Sequence, residues 1–185
     1  MTDSVRKFPE YAFAIIRKDY TQMKRADNNT ARESKMKKYS DTAVVGVLAG
    51  IVGGTAHHLF MWVFYLMGTA KITAFQLGAY VAIKPGLDIT SIPAQLLGML
   101  QHYALSIILA VFAFYCLQKI GTDYLLLKGL LFGVAVHFIV YGWLAKTAIP
   151  VDILQPDFAT SVVFLFSHLV FGVASVLTLV KASAK

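Results

Sequence analysis

The chain has 185 residues, 57% of them hydrophobic and 15% charged, with a net charge of +7. A soluble domain carries about 25% charged residues, so this composition excludes an ordinary water-soluble fold. The lone cysteine, Cys116, excludes an intrachain disulfide and a thiolate metal cluster.

Residues 1–41 hold ten of the seventeen Lys and Arg residues. Phe8, Tyr11, Ile15, Ile16 and Met23 recur at helical spacing, and Arg17, Lys18, Lys24 and Arg25 stand around them. The pattern suits a basic, partly amphipathic helix on the inner leaflet, touching lipid headgroups or a partner, and it equally suits a solvated basic tail. A polar stretch of this length before the first apolar run predicts no cleavable signal peptide. Ser40, Asp41 and Thr42 supply capping side chains for the first apolar helix.

Four uncharged runs come next, Thr42–Ala70, Ile89–Gln118, Gly129–Ala145 and Phe158–Val180. A helix of about 20 residues crosses a hydrocarbon core of about 30 Å. The runs therefore predict transmembrane spans at about 43–69, 92–118, 125–145 and 158–180. The third needs Lys128 to snorkel, with the span opening near Tyr124. The fold class expected is an all-α, polytopic four-helix bundle over 42–180, ending in a short tail at 181–185. Lys119, Lys128, Lys181 and Lys185 fall on the same side as the N-terminal segment, and only Lys71, Lys84 and Lys146 fall opposite. This split predicts both termini in the cytoplasm. It also explains the net charge as topology and attraction to anionic lipid, with no nucleic acid expected.

Between the first two spans, Ala74–Ile83 is apolar enough to lie in the outer interface, and Lys84-Pro85-Gly86 marks a turn. Ser91 is placed to cap the second span, with Pro93 tolerated in its first turn. A short link near Lys119–Asp123 makes spans two and three a tight hairpin. Pro150 and Pro156 break the link to span four, where Asp157 can cap.

Small residues recur four apart along one face of each of three spans: Gly46, Gly50 and Gly54, then Ala94 and Gly98, then Gly129 and Gly133. Each ridge continues to a histidine, His58, His102 and His137 respectively, while in span four Gly172 follows His168. Ridges of this kind let helix backbones approach closely in lipid. The match suggests a hairpin roughly repeated, spans one and two resembling three and four.

His57 is the fifth histidine, so all of them lie within spans. At 1.5 Å per residue, His58, His102 and His168 sit about 15 Å from the outer ends of their helices, and a single layer with His137 is allowed. Four uses of that layer remain open. Interhelical hydrogen bonding fixes packing. Two facing imidazoles ligate haem b. Three or four imidazoles from His58, His102, His137 and His168 bind a divalent metal, although no span has a carboxylate to orient them. Titrating rings pass protons or solutes. There is no recognisable nucleophile motif and no glycine pattern after a strand, which favours a non-enzymatic protein.

The Ala74–Pro85 segment, His102-Tyr103 with Ser106 and Ala110, Leu127-Lys128-Gly129-Leu130-Leu131-Phe132-Gly133, and Ser167-His168-Leu169-Val170-Phe171-Gly172 together give a resemblance. Over roughly residues 43–180 the chain resembles the small bacterial inner-membrane proteins typified by YqhR, and more loosely the YagU-like group. The resemblance implies a four-helix protein of the bacterial plasma membrane and no particular biochemistry. The long basic N-terminal segment departs from that pattern and puts any shared partner in doubt. The function expected is a self-assembling protein or an accessory subunit of a larger membrane complex, with a haem- or metal-binding redox or transport subunit as the alternative.

Overall fold

A computed structural model describes residues 42–83, 86–145 and 157–183. The expectations for residues 1–41, including the basic face of Arg17, Lys18, Lys24 and Arg25 and the caps at Ser40 and Asp41, lie outside the described residues. So do those for Lys84-Pro85, Pro150 and Pro156.

The protein is an all-α membrane bundle. Four helices are long and apolar enough to span a bilayer: α1 Thr42–Leu66, α3 Ile92–Ile120, α4 Leu125–Trp143 and α5 Phe158–Ser183. A short helix, α2 Ala74–Ala82, lies between the first two. No strand occurs among the described residues.

Lipid is as apolar as leucine, so helices in a bilayer gain by close packing rather than by hiding apolar surface. The contacts follow that rule. On α1, a β-carbon at Gly46 would collide with Val111, one at Gly50 with the Ile107 backbone and one at Gly54 with Ser106, so this glycine face lies directly on α3. Gly129 and Gly133 of α4 meet the α5 backbone at Val173, His168 and Leu169, and Gly172 of α5 meets Gly133 in return. Both long-helix pairs are thus joined through glycine. Large aliphatic and aromatic side chains such as Leu59, Leu100, Leu131 and Phe166 stand exposed on the outer faces, where hydrocarbon would meet them.

The loop after α1 is more ordered than an interfacial strip requires. Gly68, at φ +72°, takes the left-handed turn that ends α1, and Thr69 N donates to Phe64 O at 3.0 Å. Thr73 then opens α2 with a capping box: its Oγ1 accepts from Gln76 N, and Gln76 Oε1 accepts from Thr73 N. Helix α2 lies against α3 where Gly78 meets Gly98, and a side chain at Gly98 would strike Phe75 O. Ala74 and Ala79 are accordingly buried. The glycine-to-glycine contact docks this segment.

At the ends, Asp157 Oδ1 accepts from Thr160 N at 2.9 Å and caps α5. Lys71 N donates to Thr160 Oγ1 at 3.1 Å, tying the loop after α1 to the start of α5. Ser91 occupies the cap position of α3, but its hydroxyl donates to Asp88 O instead of accepting from the helix. At the opposite end Lys128 Nζ reaches back to Ile120 O and Gly121 O, satisfying the last carbonyls of α3.

Two apolar cores result. One gathers Ala49, Ala110, Ala113, Leu117, Val176 and Leu179; the other gathers Met61, Ala70, Ala74, Val163 and Phe164. On α1 and α5 the histidines fall between them.

Candidate functional site: a histidine row and its cavity

The five imidazoles form a continuous row across the bundle. His58 lies 6.2 Å from His102 between ring centroids, and His102 lies 5.2 Å from His57. His57 meets His168 edge-on at 4.7 Å, and His168 meets His137 edge-on at 5.1 Å. Phe75 of α2 stacks on the outer face of His58 at 3.5 Å. Tyr141 stacks on His137 at the other end, at 5.3 Å. His102 and His168 each follow the start of their helix by about 15 Å of rise. The row therefore runs sideways between helices at one depth, not along them.

Backbone carbonyls hold two of these rings. His102 Nε2 donates to Gly54 O at 2.9 Å, a contact that exists because Gly54 has no side chain to keep α3 away. His168 Nδ1 donates to Phe164 O one turn back at 2.7 Å, and His137 Nδ1 stands 3.5 Å from the same nitrogen. Thr55 and Tyr103 exchange a hydroxyl hydrogen bond at 2.9 Å beside the His102 ring. His57 differs from both. It is buried to 6% exposure, and neither of its nitrogens has a hydrogen-bond partner among the described residues.

His57, and not His58, occupies the centre of the row. Spacing by four singles out the Gly46-Gly50-Gly54-His58 ridge, which continues to the exposed Trp62. The adjacent ridge, Ala49, Gly53, His57 and Met61, is buried throughout and faces α5 through Ser175 and Phe171. That second ridge is the signal in the sequence that points to His57. Gly78, which seats α2, has no such repeat to announce it.

At the site α4 changes character. From His137 to Ala145 the helix widens to π-type hydrogen bonding, a rare geometry that marks functional or strained positions.

Next to the row, α2, α3, α4 and α5 leave a cavity of about 320 Å³. His57, His102, His168, Phe164 and Phe171 form its inner wall, and Leu77, Leu105, Leu109, Val136 and Val140 line the sides. Val81 and Ala104 at the rim are exposed, so the cavity opens on the outer surface of the bundle. Among the described residues, Gln101 and Ser106 are the remaining polar side chains that line it, and no Lys, Arg, Asp or Glu does so.

The row does not suit the metal expectation. Among the described residues, no three His, Cys, Asp or Glu side chains converge as metal ligands. The rings of the row meet one another edge-on or tilted, at centroid distances of 4.7–6.2 Å. The glycines expected to serve packing (Gly46, Gly50, Gly54, Gly98, Gly129, Gly133 and Gly172) each have a neighbouring helix against them.

Compared with family models, curated proteins and solved structures, the chain matches none.

Proposed function

We propose that this protein is a non-enzymatic multi-pass membrane protein that holds a small, mainly apolar molecule in the cavity beside its histidine row. The observation that carries the reading is the cavity itself: a mainly apolar lining, an opening on the outer surface of the bundle and the rings of His102 and His168 on its inner wall. Ligand sites are commonly clefts of about 300–1,000 Å³ with few polar groups, and this one lies at the small end. A molecule dissolved in the bilayer would enter past Val81 and Ala104 without crossing water.

Other uses fit the geometry less well. A proton path must run from one membrane face to the other, and the row lies across the bundle. Self-assembly would draw on the glycine faces, yet those faces are spent on contacts within the chain. A role as an accessory subunit would then rest on the basic segment at residues 1–41, held in the cytoplasm by the asymmetry of Lys and Arg.

The test uses the full-length protein in lipid nanodiscs and 1-fluoronaphthalene followed by fluorine NMR. A saturable bound resonance is expected. It should disappear in Leu105→Trp, which fills the cavity, and persist in Leu100→Trp, whose position is 65% exposed on the outer surface. The same spectrum for both variants and for empty nanodiscs would refute the reading.

A further inference from the structure

We infer that the cavity selects a neutral, mainly apolar molecule carrying a hydroxyl group, recognised as a hydrogen-bond donor by His102 and His168. The inference rests on the reading of the cavity as a ligand site and adds the chemistry of its occupant.

Two backbone carbonyls set the tautomers. A carbonyl oxygen only accepts, so His102 Nε2, at 2.9 Å from Gly54 O, must carry the proton. A neutral imidazole holds one proton, which leaves His102 Nδ1 with a lone pair. The same reasoning applied to His168 Nδ1 and Phe164 O, at 2.7 Å, leaves His168 Nε2 with a lone pair. Opposite ring nitrogens are fixed in the two residues, yet both free nitrogens become acceptors. Among the described residues these two rings hydrogen-bond through the opposite nitrogens, to Gly54 O, Phe164 O and His137 Nδ1, and both rings line the cavity. His168 is nine-tenths buried, at 6% exposure.

Two acceptors on one wall favour a donor. A ketone, ether or ester would set lone pair against lone pair, whereas a hydroxyl would supply the missing proton. Charge narrows the class further. With no Lys, Arg, Asp or Glu among the described residues of the wall, an ion would enter the bundle uncompensated, at a cost of several kcal/mol. Depth excludes a phospholipid headgroup, because the acceptors lie about 15 Å along α3 and α5 from their starts and headgroups stay at the interface. Gln101 and Ser106 can each donate or accept, so they admit a second polar atom without reversing the preference. His57, with both nitrogens shut away, serves as the wall between the two acceptors. A phenol or an alcohol with an apolar body meets all of these conditions.

The experiment titrates protein labelled with imidazole ¹⁵N, in lipid nanodiscs, with 2-naphthol, 2-decalol, the methyl ether of each, and naphthalene. One hydroxyl compound or both should bind about tenfold more tightly than the matching ether, which corresponds to about 1.4 kcal/mol. Binding should shift the resonances of His102 Nδ1 and His168 Nε2, and the protonated nitrogens should remain Nε2 and Nδ1 respectively. Preference for naphthol alone identifies a phenolic ligand, and preference for decalol alone an alicyclic one. His102→Phe and His168→Phe should each reduce the preference. Should either variant fail to fold, the wild-type nitrogen shifts decide the matter. Equal affinities for alcohol and ether, or the opposite tautomers, would overturn the donor selection while saturable naphthalene binding still upheld the cavity. No saturable binding of any compound would overturn both.

Discussion

Replacing Gly133 by alanine tests whether glycine contact sets the spacing of α4 and α5. The added methyl would meet Leu169 Cα at 2.8 Å and the carbonyl carbon of His168 at 2.9 Å, where ordinary contact begins at 3.4 Å. Both obstacles are backbone, so no rotamer change relieves them, and the helices must part by about 0.6–1 Å. Overpacking of this kind costs about 1–3 kcal/mol. Alanine regains about 1 kcal/mol in helix propensity, so the net loss expected is about 0–2 kcal/mol. Gly142→Ala is the matched control, since its methyl would find only Phe138 Cδ1 at 3.8 Å. It should be neutral or stabilising by up to about 1 kcal/mol. Unfolding by dodecyl sulfate in mixed micelles, followed by far-ultraviolet circular dichroism, measures both. Equal stability of the two variants would show that α4 and α5 do not meet at Gly133.

Three other contacts can be tested singly. His102→Phe removes the hydrogen bond to Gly54 O and should cost about 0.6 kcal/mol, at most about 2; a far larger loss in the same titration would mean that the ring holds more than one helix pair together. Gly53→Ala would collide with Ser175 Oγ and crowd the Phe171 ring at 3.1 Å. Ser175→Ala should restore part of the lost stability, with a coupling of about 0.5–3 kcal/mol, and strict additivity would refute the contact. The Thr160 amide, with Lys71 behind it, holds the Asp157 carboxyl below the usual carboxylate range. A depressed folded-state value means that the cap contributes above about pH 4, the unfolded value, and is lost as pH falls through the lower folded value. Amide exchange at Thr160 should speed up over that window in the wild type and show no such step in Asp157→Ala.

The four spans are legible in the sequence because length without charge is a local property, and it survives any arrangement of the helices. The caps are partly legible. Asp157 behaves as its position predicts, whereas Ser91 turns to Asp88 O because a nearby carbonyl competes for its hydroxyl. Helix α2 reads as an interfacial strip because its nine residues have no charged face to show which side is buried. Its seat is a single glycine pair, Gly78 on Gly98, and one pair makes no pattern.

By itself the sequence determined that four apolar helices are long enough to cross a membrane, that small-residue ridges run along three of them and that each of the four carries histidine, with a common depth allowed. These properties come from composition, spacing and rise per residue, which each helix possesses alone. Tertiary structure decided the rest: that His57 holds the centre and His58 the edge, that Gly54 O and Phe164 O take particular ring protons, and that a cavity opens beside them. Adjacent residues on a helix point about 100° apart. Only the rotation of each helix about its own axis, set by which glycine faces meet, settles which of two neighbouring histidines turns inward.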